Sequence, residues 1–171
     1  MVRNISAFLL VFLFFGCKDP KLISPLYSLD NNIKLNGYFY KIADDKLTIN
    51  AIFIYRNGVI FDCFDNPAKN LIDLDSIILN ENILQTSEDK KNKLTWGIFN
   101  LKNNLISCEQ WFPSSGGPMP VYIRKGKILN DSTFNFTSIE KQNGKNKKKI
   151  DETYHFRTFS PKLDSTNKWI K

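Results

Sequence analysis

Short runs of β-branched and aromatic residues recur along this chain from residue 35 onward, each cut by an Asn, Gly or Asp turn signal. That rhythm limits the fold more than any other feature, because brief apolar runs bounded by turn formers read as strands, whereas helices need longer stretches at a 3.6-residue period. The runs are Leu35–Ile42, Leu47–Tyr55, Val59–Phe64, Lys93–Asn100, Leu105–Phe112, Pro120–Lys125, Ser132–Ile139 and Ile150–Phe159. Asp44-Asp45, Asn57-Gly58, Asn103-Asn104, Asn130-Asp131 and Asn143-Gly144 lie between neighbouring runs. Asn57-Gly58 is the strongest hairpin signal, since both residues tolerate the positive φ of a type I′ turn. Neighbouring runs therefore pair as antiparallel hairpins, an up-and-down meander and not a βαβ alternation.

One stretch breaks the rhythm. Between 67 and 92, Leu71, Leu74, Ile78 and Leu84 fall near helical spacing, and Pro67 suits a first turn. A short helical insertion is expected there. Several strands are apolar on both faces: Phe53 and Tyr55 alternate with Ile52 and Ile54, and Val59 and Phe61 with Ile60. A sheet with one wet face alternates apolar with polar, so both faces of this one must be covered. The expected fold is all-β: about eight antiparallel strands closing into a barrel, which removes exposed edges. The interior covers one face, and the helical insertion, a partner or a membrane surface covers the other.

The N-terminus reads separately. Arg3 precedes an apolar run from Ile5 to Phe15, followed by Gly16-Cys17. A basic start, an apolar core and a small residue at the cut site form a secretory signal. The run is too short to span a bilayer, which needs about 20 residues. Gly16-Cys17 fits a bacterial lipobox in which the Cys17 thiol takes diacylglycerol, although Phe14 stands where an aliphatic residue is usual. The expected organisation is a lipoprotein signal peptide at 1–16, a tether at 17–34, a barrel domain at 35–160 and a tail at 161–171. The chain would then work in the cell envelope, anchored to a bacterial membrane by the acyl chains on Cys17.

With 42% hydrophobic and 13% aromatic residues the chain has the material for a packed core. Its net charge of +7 comes largely from one segment, Lys141–Lys149, which holds five lysines and no acid. No aromatic residue interleaves with these lysines, so a nucleic-acid groove is not expected. They read as a solvated hairpin tip or a contact for an anionic surface. With Cys17 acylated, Cys63 and Cys108 remain. Both lie in apolar runs, and either a disulfide between them or two buried thiols is compatible with an exported protein. One histidine and no CxxC motif support no metal centre or redox site, and no sequence signal for a cofactor is present.

Gly37-Tyr38-Phe39-Tyr40, Tyr55-Arg56-Asn57-Gly58, Trp96-Gly97-Ile98-Phe99, Glu109-Gln110-Trp111-Phe112-Pro113-Ser114 and Leu129-Asn130-Asp131-Ser132-Thr133-Phe134 resemble a group of uncharacterised lipocalin-like lipoproteins of Bacteroidota. The resemblance covers most of residues 35–160 and implies a calycin-type barrel with its mouth at one end. Lys18-Asp19 after Cys17 also resembles the charged export signal that takes some lipoproteins of that group to the outer face of the outer membrane. The resemblance implies no catalytic residues.

No catalytic set emerges from the residues either. His155, between Tyr154 and Phe156, reads as a packing residue, and Ser114-Ser115-Gly116-Gly117-Pro118 as a rim loop with no helix behind it to bind phosphate. Glu109 and Glu152 are candidate inward carboxylates without evident proximity. The better candidate is an aromatic-lined cavity built from Tyr38, Tyr40, Phe53, Tyr55, Trp96, Trp111, Tyr122 and Phe136, with Arg124 paired to a ligand carboxylate or to Glu109. The leading expectation is a lipid-anchored barrel binding module for a small hydrophobic or amphipathic ligand. The alternative is a structural or interaction lipoprotein whose rim loops, Phe112–Pro120 and Lys141–Lys149, touch a protein or glycan. A hydrolase has the least support.

Overall fold

Every expected apolar run forms a strand in the computed structural model, which describes residues 18–29, 32–43, 48–63, 68–80, 91–162 and 164–171. The strands are β1 (Gly37–Ile42), β2 (Ile49–Ile54), β3 (Val59–Cys63), β4 (Trp96–Lys102), β5 (Leu105–Trp111), β6 (Val121–Asn130), β7 (Thr133–Lys141) and β8 (Lys148–Thr158). Each pairs antiparallel with the next, and β8 returns to β1 over Gly37↔Thr158 to Tyr40↔His155. The barrel is therefore closed, as the two apolar faces require.

The hairpin turns differ in type from their sequence signals. Asn103 and Asn104 have φ of 50° and 63°, the paired positive values of a type I′ turn. At Asn57-Gly58 only Gly58 is positive, at 81°. Gly58 N–H donates to Tyr55 O at 2.9 Å, and Tyr55 N–H donates to Val59 O. This is a turn with a left-handed glycine after it, not the expected type I′ pair. A side chain on Gly58 would also meet Tyr27 O at 2.9 Å. At Gly126 β6 shifts register against β7, and a Cβ there would lie 1.9 Å from Asn135 O, so the two backbones meet where only glycine fits.

In a meander the odd-numbered connections share one end. The β1–β2, β3–β4, β5–β6 and β7–β8 connections thus ring one mouth, and the tight β2–β3, β4–β5 and β6–β7 turns ring the other. Alternation sorts the side chains into two cores on opposite faces of the sheet. Inside lie Phe39, Ile52, Ile54, Ile60, Phe99, Ile106, Cys108, Phe134, Phe136 and Tyr154, with Leu29 and Ile33 joining them from the N-terminal segment. Phe134 is the hub of this interior. Its ring sits 4.9 Å from Phe39, 5.7 Å from Phe99, 5.2 Å from Phe136 and 5.1 Å from Tyr154.

The second core lies outside the barrel, where Tyr38, Phe53, Phe61, Cys63 and Trp96 are covered by Leu74 and Ile78. Those two belong to helix α1 (Leu71–Asn80), part of the expected 67–92 insertion; Pro67 and residues 81–90, with Leu84, lie outside the described residues. Asn70 caps the helix, its side chain accepting from Asp73 N–H. Asp75 fixes α1 to the sheet by accepting from Tyr38 Oη at 2.7 Å and from the Arg157 guanidinium.

The two flanking segments are not a free tether and tail. Over its described residues the N-terminal stretch is a strap along the outside of the barrel. Ile23 and Ser24 donate backbone N–H groups to Glu109, and Leu29 N–H donates to Arg56 O beyond the far end. The C-terminal segment runs beside it, and Trp169 and Ile170 pack on the outer core. Its latch is Lys162, whose ammonium donates to Leu35 O and Ile54 O, both at 2.6 Å, over the Tyr55 ring. Burial pushes this amine down to about 8 from an ordinary value near 10.5. A neutral amine still carries N–H donors for both carbonyls. The unfolded chain binds the extra proton between those two pH values, so folding stability should rise as pH climbs from about 8 to 10.5. Allowing for partial exposure, the gain relative to Lys162→Met is about 1–2 kcal/mol, read from urea unfolding of both proteins across that range.

Candidate ligand site at the barrel mouth

Charged residues inside apolar strands are costly unless partnered, so their convergence marks a site worth following. Register and alternation turn Lys41 of β1, Asp62 of β3, Gln110 of β5, Arg124 of β6 and Glu152 of β8 into the barrel near its mouth. Arg124, only 7% exposed, is the centre. It donates to Gln110 Oε1 at 2.9 Å and to Tyr154 Oη at 3.3 Å, and makes a weaker contact with Cys108 Sγ at 3.6 Å. Asp62 and Glu152 lie 3.6 and 3.7 Å from its guanidinium nitrogens, and Phe136 presents its ring face at 4.9 Å. Gln110 donates onward to Leu94 O and Asp62, and Lys41 pairs with Glu152 at 2.8 Å.

These groups line an opening of about 280 Å³ together with Asn50, Leu94, Trp111, Phe112, Pro113 and Tyr154. Below it the aromatic core fills the barrel. The volume is at the small end for small-molecule sites, about 300–1,000 Å³. Its floor is ionic and hydrogen-bonding, and its rim is aromatic.

The electrostatics follow from burial. Burial pushes the Asp62 carboxyl up, although Arg124 and Gln110 pull against it. Burial works against the Arg124 charge too, but Cys108, Tyr154, Asp62 and Glu152 outweigh it and the proton is held more tightly. Burial raises the Cys108 thiol and the Tyr154 hydroxyl, which keeps both neutral and makes the thiol a poor nucleophile. Two polar atoms of the cluster, Arg124 Nε and Glu152 Oε2, are buried with no hydrogen-bond partner in the protein. Groups of this kind ordinarily find water or a ligand.

The aromatic residues expected to line one cavity are instead divided between the faces. Tyr38, Phe53, Tyr55 and Trp96 belong to the outer core under α1 and the tail. Tyr40 is on the outer face beside His155, with the rings 6.0 Å apart, and His155 is exposed and not a packing residue. Phe136 is inside. Of the residues expected to form that cavity, Trp111 and Arg124 border the mouth, Trp111 with its indole N–H turned to Pro20 O of the strap, and Tyr122 packs tilted against Phe112 at its rim, 4.9 Å away. Arg124 does not pair with Glu109. Glu109 faces outward, is 1% exposed, and accepts from Ile23, Ser24 and Gln142. Glu152 does turn inward. Cys63 and Cys108 are not bridged: one lies in the outer core and the other in the inner, with the sheet between them.

Lys41, Asp62, Gln110 and Tyr154 escaped sequence reasoning. For Lys41, Asp62 and Gln110 the one signal is a charged or amide side chain within an apolar run, as in Val59-Ile60-Phe61-Asp62-Cys63, and Tyr154 carries none. A larger groove of about 780 Å³ lies outside, between strap and tail, lined by Lys18, Asp19, Lys21, Lys93 and Lys171, with Asp19 and Lys93 paired. Among the described residues no group of three His, Cys, Asp or Glu is placed to hold a metal ion. No family model, curated protein or solved structure matches this chain.

Proposed function

We propose that this chain is a lipid-anchored binding module of the cell envelope, holding a small amphipathic ligand in the barrel mouth. The observation that carries this reading is the opening of about 280 Å³ over the Arg124 cluster in a barrel otherwise filled by aromatic side chains. A polar or acidic head meets Arg124, Gln110 and Lys41, and a short apolar body lies against Trp111, Phe112 and Tyr154. This narrows the small hydrophobic or amphipathic ligand expected from the sequence to one with a short body and a polar end. The secretory signal with Gly16-Cys17, which lies outside the described residues, supports the anchor, and the likeness to Bacteroidota lipoproteins agrees with that address. The outer membrane is the expected site.

Octanoate, octanamide and octylamine make a test set of one tail and three heads. Octanoate should raise the melting temperature. Lys41→Met should weaken octanoate binding about tenfold, the loss of one charge-assisted contact, and should leave octanamide binding nearly unchanged. If none of the three binds, or if Lys41→Met weakens all three equally, a ligand head in this mouth is ruled out and the Arg124 cluster is purely structural.

A further inference from the structure

The strap fixes where an anchor must emerge. Asp19 accepts from Met119 N–H of the β5–β6 loop at 2.8 Å and pairs with Lys93 at 3.0 Å. Pro20 O accepts from Trp111 Nε1 at 2.7 Å, and Lys21 O accepts from Gln142 of the β7–β8 loop at 2.8 Å. Three successive residues are thus tied to the mouth end. Residue 17 is two positions before Asp19, a reach of about 7 Å of extended chain. A lipid on Cys17 would enter its bilayer beside the mouth, with no slack to turn the barrel over.

The mouth end carries the surface features such a placement needs. The β5–β6 loop from Phe112 to Pro120 has no charged residue, is exposed from Pro113 to Pro118, and at Gly116 and Gly117 has nothing within 4 Å of a Cβ position. The β7–β8 tip beside it exposes Lys145, Lys147, Lys148 and Lys149. Of the described carboxylates near these loops, Asp19 pairs with Lys93, Glu140 pairs with Lys125 and also attracts Lys147, and Glu109 is buried beneath Gln142. An uncharged loop flanked by an excess of exposed lysines suits a phospholipid headgroup layer of negative charge.

We infer that the barrel docks mouth-down on an anionic phospholipid surface, with the 112–120 loop among the headgroups and the β7–β8 lysines on lipid phosphates, so that the Arg124 opening faces the membrane. The inference rests on the anchor reading for its tether, and on the strap contacts and charge for its orientation. It also gives the ligand a source: an amphiphile would enter from the lipid surface.

The test uses the full chain in vesicles of phosphatidylethanolamine with phosphatidylglycerol, and in vesicles of phosphatidylcholine alone. Nitroxides are placed by Asn143→Cys at the mouth tip and Asn103→Cys at the opposite end, since Cys63 and Cys108 are buried. Relaxation by a nickel chelate on lipid headgroups should be strong at 143 and weak at 103 on the anionic vesicles. In the chain freed of its anchor by Cys17→Ser, Lys147→Glu with Lys148→Glu should reduce binding to the anionic vesicles more than tenfold, at about fivefold per lysine. Equal relaxation at the two sites, a stronger effect at 103, or indifference to the lysine reversals would overturn the orientation. The N-terminal mass reports the anchor separately. If Cys17 is unmodified the anchor reading fails, and the chain must still sediment with the anionic vesicles and not with phosphatidylcholine, or the docking surface fails too.

Discussion

Replacing Arg124 with leucine should cost about 3–5 kcal/mol of folding stability, the penalty for breaking a buried ion pair from one side. Asp62 is 8% exposed and would lose its neutralising partner, and Gln110 Oε1 would lose its donor. The change is readable as a fall in the urea midpoint at unchanged slope. Leucine at Arg124 and Asp62 together should recover much of the loss, because removing both members of a buried pair is far less costly than removing one. Glu152 keeps Lys41 as its partner in that double variant. A single variant as stable as the parent would mean that the cluster is hydrated and loosely held, and would leave the barrel mouth without its fixed floor.

Phe134→Ala should have an effect of similar size, about 3–5 kcal/mol, from a different cause. Phe134 is fully buried and touches four aromatic rings contributed by β1, β4, β7 and β8. Those strands lie around the barrel, so the cavity left behind cannot close by a shift of one neighbour. Ligand binding at the mouth should survive in the folded fraction, because Phe134 does not line the opening. Thermal melts with and without octanoate separate the two effects: the ligand-induced rise should persist at a lower baseline. Loss of that rise would place the ligand deeper in the barrel than the Arg124 cluster.

The fold was legible because its determinants are local. The strand runs, the Asn-Asn and Asn-Gly turns and the helical spacing of Leu71, Leu74 and Ile78 all lie within short windows. The doubly apolar strands required cover on both faces, and α1 with the tail provides it. The site was less legible for a reason of parity. Where both faces of a strand are apolar, alternation says which residues share a face but not which face is inside. Phe53 and Ile52 are equally apolar, yet Phe53 packs under the helix and Ile52 fills the barrel. One wrong assignment per strand moves every aromatic residue to the other side, and that placed Tyr38, Tyr55 and Trp96 in a cavity they do not line. A polar residue alone in an apolar run marks the inner face, as Arg124 does; Asp62 carries the same signal within Val59–Cys63. Contacts between distant segments, such as Glu109 with Ile23 and Ser24, leave no trace in spacing. The strap was therefore read as a tether.

The central claim is that a ligand head engages the Arg124 cluster at the mouth. The Arg124 Nε–H and Gln110 side-chain amide resonances in a 15N-correlated spectrum report on it directly, since both side chains belong to the cluster at the opening. Titration with octanoate should give saturable shifts of both signals, with the same affinity, while the indole N–H signals of Trp96, Trp111 and Trp169 move less. Shifts confined to Trp111 and Trp169 would put the ligand in the outer groove between strap and tail and contradict a head bound at Arg124.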